Sequence, residues 1–488
     1  MDTTNTNTII IACIGLYLIA LLGLGFLANK RRKSNSLKEF YLAGSGLGSF
    51  VLLFTLYATQ YSANTMLVTP AEVVNKGMGM ILILGYMTAV VIFYLTFAPQ
   101  LYNISKKFNF ITPGDWFDYR FNLPKLTLLA NVILVLVSVN FLLSQLMAMG
   151  HVVNGVTDGQ VPYWAGVVSL AFVVIIYESL GGMRAVAWTD VIQGVMLFAG
   201  LVGLFLIVMP DTDELTKISA WLIKNEPQKI GVPEVSFRVY WASILLMIGL
   251  GGAVYPQVIQ RIYAAKSIKS LRQSLGAMVV MPLVTVLILF LLGVISIPHF
   301  VDAQDVSKDT VLPIMLNVWG GDSALNFGLM VMVVVGLIAA IMSTADSVLL
   351  SLSSIVAKDI LGKFRFKNAS SERLTKIGKL FSWAIMFLMV LVALQPKITL
   401  WGLIELKMQI LVQTAPLFLL GIHSQKVTSK GMFVGLCIGF VFATGAFFLG
   451  IKTIYNVHVG LIGFVLNILC CYIFSNPKRK VYEMSHNN

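Results

Sequence analysis

Residues 50–74 read "FVLLFTLYATQYSANTMLVTPAEVV". Both flanks are apolar enough for hydrocarbon. The middle, Ala58 to Thr65, holds Thr59, Gln60, Ser62, Asn64 and Thr65, and Pro70 follows. The pattern predicts a spanning helix that is interrupted halfway. Freed backbone groups at membrane depth are tolerated only where they are buried in protein or line a cavity. A second stretch, "WASILLMIGLGGAVYPQVIQR" (241–261), predicts the same with Gly249, Gly251, Gly252 and Pro256. Glycine weakens a helix and proline removes one of its hydrogen bonds.

The rest of the chain agrees with a membrane setting. It has 488 residues, 57% hydrophobic and 12% charged, with mean hydropathy +0.84. A soluble protein carries about a quarter charged residues. The apolar runs are continuous rather than alternating, which excludes a β-barrel. The class is an all-α polytopic membrane protein. Thirteen spans are expected, near 8–29, 48–74, 77–99, 125–150, 161–180, 187–209, 239–262, 272–298, 324–357, 377–395, 399–422, 430–451 and 457–475. The first is too long for a signal peptide and is read as a retained helix. Cys13, Cys437, Cys470 and Cys471 all fall in apolar segments, so no disulfide is expected.

The net charge of +13 follows from topology rather than from nucleic-acid binding. Of the 35 basic residues, 26 fall in loops on one side, Arg261 among them; 8 fall on the other, and Lys407 lies within a span. Basic loops favour the cytoplasm. That predicts an external N-terminus, a cytoplasmic C-terminus and a plasma-membrane location. The hydrophilic segments are too short for a soluble domain. No phosphate-binding GxxxxGK[ST] loop is present, and the five histidines are scattered. ATP hydrolysis, metal catalysis and other enzyme chemistry are not expected.

The two interrupted spans lie five helices apart. An odd-numbered repeat is inverted in the membrane, so 48–209 and 239–422 would form two inverted five-helix repeats in a single transporter domain covering 1–488. The helix 8–29 precedes them; two helices (430–475) and a cytoplasmic tail (476–488) follow. Paired broken helices point to a midplane transport site. The competing reading is two ordinary kinked helices.

A third stretch, "GLIAAIMSTADSVLLSLSS" (336–354), collects hydroxyls inside a span. Ala340, Ser343 and Thr344 are spaced i, i+3, i+4 and share one face. Ser347, Ser351 and Ser354 continue a polar stripe. Helix packing explains such residues. So does a small hard cation, which takes hydroxyl and carbonyl oxygens.

Three segments carry a resemblance. "GGMRAVAWTDVIQGVMLF" (181–198), "QRIYAAKS" (260–267) and "AAIMSTADSVLLSLSS" (339–354) resemble motifs of the sodium:solute symporter family. The resemblance implies a leucine-transporter type of fold with a five-plus-five inverted repeat. It implies sodium-coupled uptake of a small organic solute, with sodium as the co-transported ion and no other cofactor. It places sodium between the carbonyls of Ala58, Tyr61 and Ala340 and the hydroxyls of Ser343 and Thr344. Asp190 matches an aspartate implicated in sodium coupling; a helix cap is its other reading. Asp346 is left between a gate and a packing role.

The solute is expected at the two breaks, with Gln60, Ser62, Asn64, Thr65, Gly251, Gly252 and Gln409 as candidates. "ATQYSANTM" (58–66) is similar to the broken helix of pantothenate transporters. The sodium–galactose and proline patterns fit less well. Glu405 and Lys407 stand inside a span, where a charge costs about 2.5–3.5 kcal/mol. Lys407 either snorkels outward or serves a gate or a carboxylate. Gln413 shares the Gln409 face. The rival function is a membrane sensor that binds a solute without accumulating it.

Overall fold

A computed structural model describes residues 3–32, 34–209, 212–301, 311–319, 323–395 and 399–475. The tail 476–488 and the Asn64 side chain lie outside the described set. Among the described residues helices dominate, with one two-stranded hairpin, Thr453–Ile454 against Val457–His458. Ten helices among the described residues are long and apolar enough to cross a membrane, and Ser49–Gln60 and Val459–Ile473 are shorter apolar helices. The boundaries differ from the thirteen expected because Thr65–Phe108 and Tyr163–Leu206 each run on as one apolar helical stretch. Within Tyr163–Val208 the chain turns at Gly182 (φ 54°, ψ −147°). A Cβ there would stand 2.5 Å from the Phe40 carbonyl oxygen, so both the backbone and the space require glycine.

Both predicted breaks form, by different means. The first span is two helices, Ser49–Gln60 and Ala63–Lys76, separated by Tyr61 and Ser62. The second is Val235–Gly252 and Pro256–Ala264. Tyr255 is extended (φ −54°, ψ 135°), as a residue before proline must be. The two spans run head to tail. Leu47 N–H donates to Ala264 O at 3.1 Å and Lys266 N–H to Leu47 O at 2.8 Å. At mid-depth, Gln60 Nε2 donates to Gly252 O at 3.5 Å, so the breaks face each other.

The hydroxyl-rich segment lies in the helix Ala324–Ser354, which is buried on all sides from Val333 onward. Its far end continues as a wider turn, Ile355–Gly362. There Lys358 and Lys363 pair with Asp115 and Asp118. These ion pairs join the end of the central helix to the short helix Pro113–Phe121. The N-terminal helix Thr3–Lys30 packs along Tyr163–Val208. Gly25 permits this, because a Cβ there would come 2.6 Å from the Tyr177 Cβ. Gln193 Nε2 donates to the Tyr17 hydroxyl at 2.7 Å across the same seam.

Candidate functional site

The last carbonyls of a helix have no donor within it. At the first break two of them are met from the central helix. Ser343 Oγ lies 2.9 Å from Ala58 O and 3.1 Å from Ala340 O. Thr344 Oγ1 lies 3.5 Å from Thr59 O. All five residues are buried. Ala58, Ala340, Ser343 and Thr344 are therefore brought together. Tyr61 occupies the break itself (φ −88°, ψ 89°), with its ring buried 4.7 Å from that of Tyr57. Hydroxyl oxygens hold spare lone pairs while they donate. This cluster can exchange its internal hydrogen bonds for a small cation.

Beside it lies a buried charged network. Asp190 and Arg261 form an ion pair at 3.3 Å, both fully shielded. Thr55 donates to Asp190, and Arg261 reaches Thr55 Oγ1 at 3.3 Å, Gln257 O at 3.2 Å and Ser347 Oγ at 2.5 Å. Ser347 Oγ also lies 3.1 Å from Asp346 Oδ1 and 3.2 Å from Thr59 Oγ1. Tyr177 donates to Asp346. Asp190 thus binds side chains in mid-helix rather than capping one. Arg261 leaves the tally of loop charges, because it is buried at the core. The only sequence signal for it was its place at the end of a glycine-broken span.

Both breaks open into one pocket whose empty space, open solvent included, is about 720 Å³. Gln60, Ser62 and Thr65 line it from the first span, and Gly252 and Tyr255 from the second. Aromatic rings supply much of the wall, among them Tyr86, Phe141, Trp241 and Trp401. Thr65 Oγ1 and the Tyr86 hydroxyl are hydrogen bonded at 2.8 Å. Trp241 and Trp401 approach to 5.7 Å between centroids, and Lys76 lies over both rings.

Gly251 and Gln409 are not among the lining residues. Gly251 faces Met408 and Val412, and Gln409 Nε2 donates to Ala443 O at 3.1 Å, toward Ser429–Phe448. Gln413 Nε2 donates to Gly460 O at 2.9 Å. Glu405 accepts from the Tyr240 hydroxyl at 2.6 Å and pairs with Lys452 at 3.4 Å. Lys407 does not snorkel. It lines the cavity, 3.3 Å from the Phe141 ring centroid.

Two broken helices that face each other across a pocket, with carbonyl and hydroxyl oxygens gathered between one of them and the central helix, are the arrangement of a secondary transporter. The model of the sodium:solute symporter family matches residues 40–439. The chain belongs to that family. It is similar to the osmoregulated proline transporter of Bacillus subtilis (strain 168), 26% identical with 98% of this chain and 96% of that one covered. It is 23% identical to the sodium/pantothenate symporter of Escherichia coli (strain K12), with 87% of each covered. A solved Na+-coupled sialic acid symporter, substrate-bound and outward-open, superposes with TM-score 0.79 at 20% identity, covering 95% of this chain and 97% of that one. Mhp1, a nucleobase-cation-symport-1 family transporter, gives 0.59 at 15% identity, covering 93% and 96%. The fold is that of these symporters. The chain is a multi-pass membrane protein that imports a small solute with sodium. None of these comparisons points to a sensor.

Proposed function

We propose that sodium binds among the carbonyls of Ala58, Tyr61 and Ala340 and the hydroxyls of Ser343 and Thr344, and that this ion completes the solute pocket. The observation that carries the reading is the meeting of Ser343 Oγ with Ala58 O at the first break. The ligands come from two separate helices. A bound ion therefore favours the conformation in which those helices touch, and coupling arises from differential affinity for two states. Gln60, Ser62, Thr65 and Gly252 face the solute; Asn64 is kept as a candidate on its sequence position alone. Asp190, held by Arg261 and Thr55, links the ion layer to the second broken span. Asp346 serves the same network.

The repeats are taken as 48–209 and 239–422. The head-to-tail course of the two broken spans supports their inversion. The odd number of spans read from the sequence, thirteen, and the excess of basic residues in loops on one side, Arg261 set aside, support an external N-terminus and a cytoplasmic C-terminus. Relatives named for proline and pantothenate support an amino acid or small carboxylate as solute. One charge moving down 100 mV supplies about 2.3 kcal/mol, roughly fiftyfold accumulation per sodium. Uptake of labelled proline and pantothenate into proteoliposomes, with inward sodium or potassium gradients, tests the reading. At least one is expected to accumulate only with sodium, and Ser343→Ala is expected to abolish that dependence. Sodium-indifferent uptake unchanged in Ser343→Ala would remove the ion assignment.

A further inference from the structure

Lys407 is a charge with an unfinished environment. The residue is 3% exposed and lines a cavity inside a span. Among the described residues no carboxylate lies within ion-pair distance of it. Glu405, two positions earlier, points elsewhere and is held by Tyr240 and Lys452. Glu72 is taken by Lys76 at 2.6 Å. What Lys407 does have is rings. Its ammonium sits 3.3 Å from the Phe141 centroid and 5.7 Å from that of Tyr255. The two rings are themselves stacked at 5.1 Å. Such contacts offset only part of the cost of burying a charge. Burying a lone cation at this depth makes sense if an anion arrives there.

The described cavity wall does not supply that anion. Among the described residues no aspartate or glutamate lines it. Apart from Lys407 and the indoles of Trp241 and Trp401, which only donate, its polar side chains are amides and hydroxyls, which pair with either charge sign. Its remaining surface is aromatic and aliphatic. We propose that Lys407 is the counter-ion for a carboxylate on the transported solute, and that the cavity takes a monocarboxylate with an uncharged body. An ammonium on the solute would share the cavity with Lys407 and find no acidic side chain. The inference rests on the reading of this cavity as the solute site. It adds the charge of the solute and the residue that reads it.

Matched probes decide this. Thermal shifts of the purified full chain are measured with pantothenate against pantothenol, cyclohexanecarboxylate against its amide, and proline against prolinamide. Each is run in sodium and in potassium. The expected result is stabilisation by an uncharged-body acid in sodium, with its neutral partner inactive and proline weaker than the acids. Lys407→Met is expected to weaken the acid by about 30-fold or more, while stabilisation by sodium alone stays as in the unaltered protein. Lys407→Arg is expected to recover part of the loss. The proposal is overturned if neutral partners bind as well as acids, if Lys407→Met binds an acid as the unaltered protein does, or if no acid stabilises while sodium does. Failure of sodium to stabilise in any arm would strike the sodium site instead.

Discussion

The two broken helices reach the same cavity with opposite chemistry. The second break is written into its own backbone. Gly249, Gly251 and Gly252 loosen the helix, and Pro256 forces Tyr255 to be extended. The first break has no proline or glycine between Ser49 and Val68. Its carbonyls are held by Ser343 and Thr344 from another helix. One break is therefore permanent, and the other depends on its neighbour. A break that depends on its neighbour can respond to an ion between them; a permanent one is a fixed wall.

The heaviest blow to this contrast falls on Arg261, which ties the second broken span to Thr55 of the first and neutralises Asp190. Arg261→Ala leaves a buried carboxylate uncompensated, at about 3–5 kcal/mol. We expect poor folded yield in size-exclusion chromatography, partly restored by Arg261→Ala with Asp190→Ala. A double variant no better than the single one would show that the pair is not the link. Thr344→Val removes one hydroxyl from the responsive break while keeping its shape. Losing one such interaction costs about 1–2 kcal/mol, so the sodium concentration for half-maximal stabilisation should rise about tenfold. A sodium response equal to that of the unaltered protein would mean that Thr344 only packs. Pro256→Ala is the mildest. It should lower stability by about 0.4–1 kcal/mol and leave the sodium response within threefold, because the glycines remain. A large sodium effect there would erase the distinction between the breaks.

Much of the first break was legible because hydrocarbon makes polar clusters conspicuous. Thr59, Gln60, Ser62 and Thr65 could not be ignored inside an apolar run, nor could Ser343 and Thr344 on one helical face. Periodicity names a face, however, and not what the face meets. Gln409 and Gln413 share a face as expected, but that face looks onto Ser429–Phe448 and Gly460 rather than the cavity. Glu405 and Lys407, two positions apart, point to different surroundings. Glu405 finds Lys452 beside a hairpin 47 residues away, which no local pattern encodes. Arg261 read as a loop charge because the apolar run ends near it. Only tertiary packing carries Asp190 to it.

The N-terminal helix looks like an appendage to the two repeats. Electrically it is insulation. Tyr17 meets Gln193, three residues past Asp190, and Gly25 lets the helix lie flush on Tyr177, which holds Asp346. A Coulomb interaction is strong only while its surroundings stay poorly polarisable. Packed over Tyr177 and Gln193, Thr3–Lys30 covers the back of the charged network, so the field of Asp190, Arg261 and Asp346 is set by protein on that side.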